Sequence, residues 1–236
     1  MSLDRIREFL TQLPSHSLVH GGSHAGKLYQ NYPWPPLDVL PAHRNDTQAR
    51  LDWLLGKLGD VRGCSVLDYG CGNGALAIGL AGHGAAVDGL SIEPIEVQIA
   101  NLAVDLLYEY WETETEKHWT GFRVAPLTCE FFTREYLPHP STRVDYCLFL
   151  STWKWVVRNE GLDTANTLLQ HLSIICHNLI FESGLTGGGM DLGLPFTKAD
   201  ITDILRKHTS CEPELLGIEP REDGTEREVW RCRRSA

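Results

Sequence analysis

Long apolar runs are missing from this chain: no stretch approaches the about 18 consecutive apolar residues of a membrane-spanning helix. The first residues, Met1-Ser2-Leu3-Asp4-Arg5-Ile6-Arg7, hold no apolar core of signal-peptide length. A cytoplasmic enzyme without a membrane anchor is the expectation. The seven cysteines are an odd number and form no C-x-x-C pair, so neither a disulfide framework nor a zinc site is expected. Cys64, Cys71, Cys147 and Cys176 fall in or beside predicted core elements, where a free thiol behaves as a small hydrophobe. His16, His20 and His24 are evenly spaced, but Gly21-Gly22 breaks any shared helix, and no metal is expected there. Basic charge is scarce too. With 21 Lys and Arg against 31 Asp and Glu the net charge is −10, which disfavours a long nucleic-acid partner but leaves room for a small basic pocket. There is no G-x-S-x-G, no H-E-x-x-H and no Gly-Lys-Ser/Thr loop; Gly187-Gly188-Gly189 runs into Met190 and reads as a loop.

What is present centres on residues 66–74. Val66 and Leu67 read as the end of a buried strand, and Asp68 stands where that strand leaves the sheet. Gly70, Gly72 and Gly74, with Cys71 among them, then turn into a helix opened by Ala75-Leu76-Ala77-Ile78. Glycine accepts positive φ and has no Cβ, so a ligand can lie against bare backbone. Strand, turn and helix in this order make a nucleotide-type crevice at the carboxyl end of a parallel sheet.

Around it the chain alternates strand and helix, the signature of a mostly parallel sheet covered on both faces. Strands are predicted near 64–68, 86–91, 121–126, 144–150 and 178–183, and helices near 74–82, 94–117, 160–176 and 197–208. Thr197-Lys198-Ala199-Asp200 forms a variant capping box. A hairpin closes the chain: strands near 213–219 and 226–232 flank a turn at Glu222-Asp223-Gly224. Upstream, residues 2–13 suit an amphipathic helix, and Asn45 or Asp46 should cap a helix through Leu58. Residues 14–45 are rich in His, Gly, Pro and aromatics. The expected division is an N-terminal helix with an aromatic lid or substrate arm over 1–45, and a core over 46–236. Clustered Glu109, Glu112, Glu114 and Glu116 read as a solvated helix face.

The spacing D-x-G-x-G-x-G differs from the dinucleotide pattern and resembles motif I of class I methyltransferases that use S-adenosylmethionine (SAM). The resemblance implies a Rossmann-like α/β fold: a mostly parallel seven-stranded sheet, its last strand antiparallel, with helices on both faces. It also implies SAM as cofactor, and Asp68, Gly70, Cys71 and Gly72 as part of its site. By the same resemblance the second strand should end on an acidic residue that accepts the ribose hydroxyls. In Val87-Asp88-Gly89-Leu90-Ser91 that position falls on Ser91, a departure from the pattern. Glu93, in the turn before Pro94, either supplies the carboxylate instead or merely favours the helix N-terminus. Cys129 and Glu130 follow the third strand, where the adenine is commonly met, and Leu150-Ser151 ends the fourth. Beyond it, Trp153, Lys154 and Trp155 suggest two aromatic walls around one lysine, with at least one tryptophan simply core. The Asn/Asp-Pro-Pro-Tyr motif is absent, which argues against exocyclic base nitrogen or protein glutamine as acceptor.

Two local stretches resemble the Bin3-type methyltransferases. Tyr29-x-Asn31-Tyr32 with Arg44-Asn45 and Arg50-Leu51 resembles that group's Tyr/Arg arm, and Ser151–Trp155 with Glu160-Gly161-Leu162 its segment after the fourth strand. The resemblance implies that Arg50 clamps the SAM carboxylate, a role that suits a guanidinium fork, while a tyrosine such as Tyr29 closes over the ligand. The alternative for Arg50 is a surface helix arginine. Tyr32, Trp34 and Arg44 would then line an acceptor pocket, with His43 and Lys154 as candidate catalytic groups. The expected reaction is methyl transfer to a small molecule, plausibly in secondary metabolism. A Bin3-like RNA or phosphate methyltransferase, or a SAM-binding protein that transfers no methyl, are the alternatives. The oligomeric state stays open.

Overall fold

The structure, a computed structural model, describes residues 3–12, 26–114, 122–126, 143–184, 198–219, 221–222, 224 and 226–234. They fall into two compact units: Met1–Cys64 with Cys71–Leu127, and Ser65–Gly70 with Thr128–Ala236. The division is interleaved, because one strand and the start of the glycine-rich turn are counted with the C-terminal unit.

The first unit is built around helices. Helix α1 (Leu3–Gln12) buries Ile6 and Leu10 at helical spacing. Strands β1 (Leu28–Gln30) and β2 (Ala42–Arg44) pair in parallel as a small sheet of their own, with a 3-10 turn at Leu37–Val39 between them. Helix α2 (Thr47–Leu58) starts after Asp46, whose carboxylate caps no backbone N–H and pairs with Arg44 instead. It stops at Gly59, φ +82°, whose N–H donates to Leu55 O at 2.8 Å. Helix α3 (Ala75–Gly82) is apolar all round and wholly buried, as such a sequence requires. Gly79 permits the close packing: a Cβ there would lie 2.5 Å from Leu51 Cδ2 and 3.0 Å from Trp34 Cη2. Strand β4 (Ala86–Ser91) leads into α4 (Pro94–Glu114) and pairs in parallel with β5 (Phe122–Pro126). One core joins Ile6, Leu10, Leu28, Tyr32, Leu37 and Leu40 to Ala75, Ile78, Ile99, Ala103 and Leu107. Apolar residues of the expected arm, among them Leu28, Tyr32, Leu37 and Leu40, thus belong to this core.

The second unit is a five-stranded sheet in the order β3-β6-β7-β9-β8. It comprises β3 (Ser65–Tyr69), β6 (Val144–Leu150), β7 (Cys176–Glu182), β8 (Pro213–Glu219) and β9 (Arg227–Arg233). The first three run parallel, and their apolar runs place Leu67, Leu148, Phe149, Leu179, Ile180 and Phe181 at 0 % exposure, as strands covered on both faces demand. Asp145 fixes the register where β3 and β6 begin, accepting from Ser65 N and Oγ at 2.8 Å each. β9 is antiparallel to both β7 and β8. The helices are α5 (Trp153–Glu160), α6 (Leu162–Ile175) and α7 (Lys198–Thr209).

Together the units supply seven strands of a mostly parallel, Rossmann-like α/β fold with the last strand antiparallel, the class expected from the sequence. Asp68 lies next to last in β3, registered with Leu148 of β6, close to the strand end where the sequence put it. Other details differ. α5 occupies a stretch that carried no predicted helix. α6 passes into β7 without a loop, so that strand begins at Cys176. No helix among the described residues is long and apolar enough to cross a membrane, and none of the described His, Cys, Asp and Glu cluster as a metal site.

Candidate functional site

The turn after β3 holds three glycines in the left-handed region: Gly70 at φ +89°, Gly72 at +58° and Gly74 at +75°. Their surroundings differ. A Cβ on Gly70 would collide with Thr152, whose Cγ2 lies 2.8 Å away, so Gly70 makes room for a threonine of its own unit. A Cβ on Gly72 would meet only ordinary contacts, with Glu96 Oε2 at 3.7 Å, Oε1 at 3.9 Å and Tyr29 Cδ1 at 4.0 Å. Gly72 is partly exposed, and its bare backbone is bordered, without crowding, by Glu96 and Tyr29. Cys71, 7 % exposed, anchors the turn by donating its N–H to Leu90 O of β4 at 2.9 Å. Asn73, 1 % exposed, exchanges two hydrogen bonds with the Gln30 backbone: Nδ2 donates to O at 2.9 Å and Oδ1 accepts from N at 3.2 Å. Tyr32 donates its hydroxyl to the Asn73 carbonyl. The small β1–β2 sheet is therefore stitched to the turn.

At the end of β4, Ser91 is buried and Glu93 is half-buried. The carboxylate that reaches the turn belongs to neither: it is Glu96, in the first turn of α4. Its Oε2 accepts from Ser91 Oγ at 3.0 Å. Burial raises its pKa from the ordinary 4.5 to about 7; the Ser91 hydrogen bond opposes the rise and Glu93 adds to it. The strand-end pattern points no further than Glu93, although Glu96 also lies on the helix turn facing back to the strand end. Tyr29 is half-buried with the Arg44 guanidinium 5.9 Å from its ring centroid, and Arg44 is held by Asp46. Arg50 is 2 % exposed on α2, which rules out the surface-arginine alternative.

Several residues expected to face an acceptor are core. Tyr32 is 0 % exposed and fills the core, so it is no pocket wall, while Trp34 is partly buried and packs against the same core. Trp153 is also 0 % exposed and meets Phe181 edge-on at 6.1 Å. His43 is exposed on β2. Cys129 and Glu130 lie outside the described residues, as do His16, His20, His24 and Gly187–Gly189.

In the second unit Asp68 is 5 % exposed near the end of β3, and Leu150 ends β6. Ser151 follows at φ +58°, rare for a residue with a side chain. Glu182 on β7 holds it there: Ser151 N–H donates to Glu182 O at 3.0 Å, and its hydroxyl donates to the Glu182 carboxylate. That carboxylate, fully buried, also accepts from Gly184 N at 2.5 Å and Arg221 at 3.0 Å, with Arg227 at 3.6 Å. Burial alone would raise its pKa, yet Arg221, Arg227, the Ser151 hydrogen bond and Lys154 together hold it below the ordinary value. Arg221 pairs in addition with Glu219. Lys154 lies 5.6 Å from the Trp155 ring centroid, and its Nζ donates to Gly184 O at 3.4 Å. Trp155 is 8 % exposed, with Arg158 on it at 5.5 Å. No sequence signal pointed to Glu182, Arg221 or Arg227.

Comparison with known proteins gives matches of two kinds. No protein-family model matches the chain. It is 30 % identical over 119 residues to a ubiquinone biosynthesis O-methyltransferase of Alkalilimnicola ehrlichii, covering 48 % of each chain. It is 33 % identical over 117 residues to the enzyme of the same name from Yersinia enterocolitica, covering 47 % of each. The chain spans about half the length of the curated relatives it matches. Among solved structures, WbdD bound to a kinase inhibitor aligns with a TM-score of 0.67 at 18 % identity, over 97 % of this chain and 47 % of that one. Magnesium protoporphyrin IX methyltransferase from Synechocystis PCC 6803, with bound S-adenosylhomocysteine (SAH), aligns with a TM-score of 0.55 at 21 % identity, over 80 % of this chain and 82 % of that one. These likenesses show the fold, which is the Rossmann-like α/β fold of solved methyltransferases.

Proposed function

We propose that this protein is a SAM-dependent methyltransferase acting on a hydroxyl of a small molecule. The observation that carries this reading is the turn at Gly72, where uncrowded backbone, positive φ and a buried carboxylate with one hydroxyl partner among the described residues meet at the end of β4. Such a cradle fits a neutral nucleoside rather than a phosphate, because a carboxylate beside it repels an anion and accepts from hydroxyls. The names of the sequence relatives support oxygen as the acceptor atom.

SAM, when bound, supplies a methyl activated by its sulfonium. The protein's share is chiefly proximity and alignment, which can be worth roughly 7–11 kcal/mol. Cys71–Gly74 would carry the nucleoside. Arg50, buried on α2 of the same unit, is proposed to pair with the amino-acid carboxylate, as the Bin3-type likeness implies. A small acceptor suits the net charge of −10, whereas the RNA acceptor of the Bin3 reading would call for a basic face.

The test is calorimetry with SAM and SAH, followed by mass spectrometry of metabolite extract incubated with the protein and methyl-labelled SAM. Binding of both ligands and a labelled methyl on a hydroxyl-bearing product are expected. A protein that binds neither ligand, or that labels RNA in the extract instead, would overturn the reading.

A further inference from the structure

Glu96 is an odd side chain for its place. It is 7 % exposed and sits in the first turn of α4, yet its hydrogen-bond partner among the described residues is a single hydroxyl, Ser91 Oγ at 3.0 Å. A buried carboxylate normally collects a cation or several donors, because its desolvation must be offset. Both its oxygens lie within 3.9 Å of the point where a Cβ on Gly72 would stand, and Tyr29 borders the same point at 4.0 Å. Both carboxylate oxygens thus border the side of the turn that Gly72 leaves without a side chain. Ser91, at the strand-end position, is itself too short to take two hydroxyls and acts as the brace.

We propose that Glu96, positioned by Ser91, is the carboxylate that accepts the two ribose hydroxyls of the bound nucleoside. This rests on the SAM reading above and goes beyond it: the ribose-binding acid has moved from the end of the strand into the following helix. Two vicinal hydroxyls would add donors to the one that Glu96 has among the described residues.

The arrangement couples binding to a proton. The groups around Glu96 are Ser91 on β4, Glu93 just before its own helix, and Tyr29 on β1, beyond whose ring stands Arg44. Tyr32 and Cys71 belong to the same surroundings. Glu93 disfavours ionisation and burial disfavours it more, so free Glu96 holds its proton up to about pH 7. A carboxylate accepting from both hydroxyls must be ionised. Ribose binding therefore expels that proton, and affinity rises with pH until Glu96 is already ionised in the free protein.

The experiment is calorimetry of the full chain with SAH, adenosine and 2′,3′-dideoxyadenosine between about pH 6 and about pH 8.5, in buffers of different ionisation enthalpy. Expected are tighter SAH and adenosine binding at the higher pH, with proton release below about pH 7, and a flat profile for the dideoxy nucleoside. Glu96→Gln should weaken SAH about tenfold or more at the higher pH, flatten its profile, and leave the dideoxy nucleoside unchanged. Equal losses for all three ligands would show a merely structural role and overturn the proposal. So would pH-independent SAH binding without proton release by the unmutated protein, a result that needs no variant to fold. If SAH binds at no pH, the SAM reading falls first; if it binds without these signatures, only the role of Glu96 falls.

Discussion

In the first unit Glu96 is almost fully buried with the Ser91 hydroxyl as partner; in the second, Glu182 is fully buried among Arg221, Arg227, Lys154 and Ser151. The same residue type at nearly the same burial titrates in opposite directions, up toward about 7 for Glu96 and down for Glu182. Burial pushes both upward; it prevails at Glu96, where a single hydroxyl opposes it, and is outweighed at Glu182, where the surrounding cations and the Ser151 hydroxyl favour the charged form. Glu182 is a finished structural group whose negative charge organises a rare Ser151 conformation and three cations. Glu96 has capacity left for donors, which is the condition of a binding group.

The sharpest way to break this contrast is Glu182→Gln. Removing one charge from a buried ion cluster leaves the others uncompensated, which typically costs about 3–5 kcal/mol. The loss should appear in urea unfolding near neutral pH. The pH dependence has a definite sign: a folded pKa below the unfolded one gives stability that is present above the ordinary carboxylate range and lost as pH falls through the folded value. The variant should lose that acid-side slope. A variant as stable as the parent would mean that Arg221 and Arg227 do not depend on Glu182.

Glu96→Gln should behave in the opposite way. With its folded pKa near 7 and its ordinary value 4.5, the folded state keeps a proton that the unfolded state has released, so stability falls as pH rises across that window. The full difference is roughly 3 kcal/mol at one pKa unit per about 1.4 kcal/mol. A neutral amide in place of the carboxylate removes the fall. The variant should match the parent below about pH 4 and be more stable by up to that amount above about pH 8, while binding SAH less well. Parallel urea titrations at the two pH values check this. A variant destabilised at high pH would show that ionised Glu96 is held by partners the contrast leaves out.

The sequence revealed the two units unequally. Short apolar runs and helical spacing announced β3, β4, β6 and most helices to within a residue or two, because covered strands and helices with one buried face leave those two patterns. β1 and β2 stayed hidden, since three residues are too few for a period-two pattern to rise above the surrounding aromatics. Tyr32 misleads because an aromatic beside a predicted site reads the same whether it lines a pocket or fills a core. Glu96 escapes because the motif directs the eye to the strand end, while the helix brings a residue five positions past Ser91 back to it. The Glu182 cluster brings Ser151 to Glu182, 31 positions on, and to Arg221, 70 positions on, and no local spacing encodes such a meeting.

A smaller effect separates the two leading glycines of the turn. Ala at either must adopt a positive φ, at a cost of roughly 1–2 kcal/mol. Gly70→Ala adds a collision with Thr152, and overpacking typically costs about 1–3 kcal/mol more. Gly72→Ala adds no collision, but it puts a methyl on the face assigned to the nucleoside. Thermal unfolding should therefore rank Gly70→Ala as the less stable, and calorimetry should rank Gly72→Ala as the weaker SAH binder per unit of stability lost. Were the two variants to lose stability and affinity in the same proportion, the distinction between a packing glycine and a binding glycine would be gone.

The finest adjustment concerns the brace and the neighbour of Glu96, which act on it in opposite senses. The Ser91 hydrogen bond lowers its pKa and the Glu93 charge raises it. Ser91→Ala removes one neutral hydrogen bond, worth about 1 kcal/mol, and should push the Glu96 titration above 7. Glu93→Gln removes a like charge and should bring it down, with little change in stability because Glu93 is only half-buried. Carboxyl NMR titration of the two variants reads both shifts. The pH at which SAH affinity levels off should move with them, upward for Ser91→Ala and downward for Glu93→Gln, since it marks the point where free Glu96 has already lost its proton. If the Glu96 titration moves as described and the affinity profile stays still, the proton leaves some other group, and the ribose contact must be sought away from Glu96.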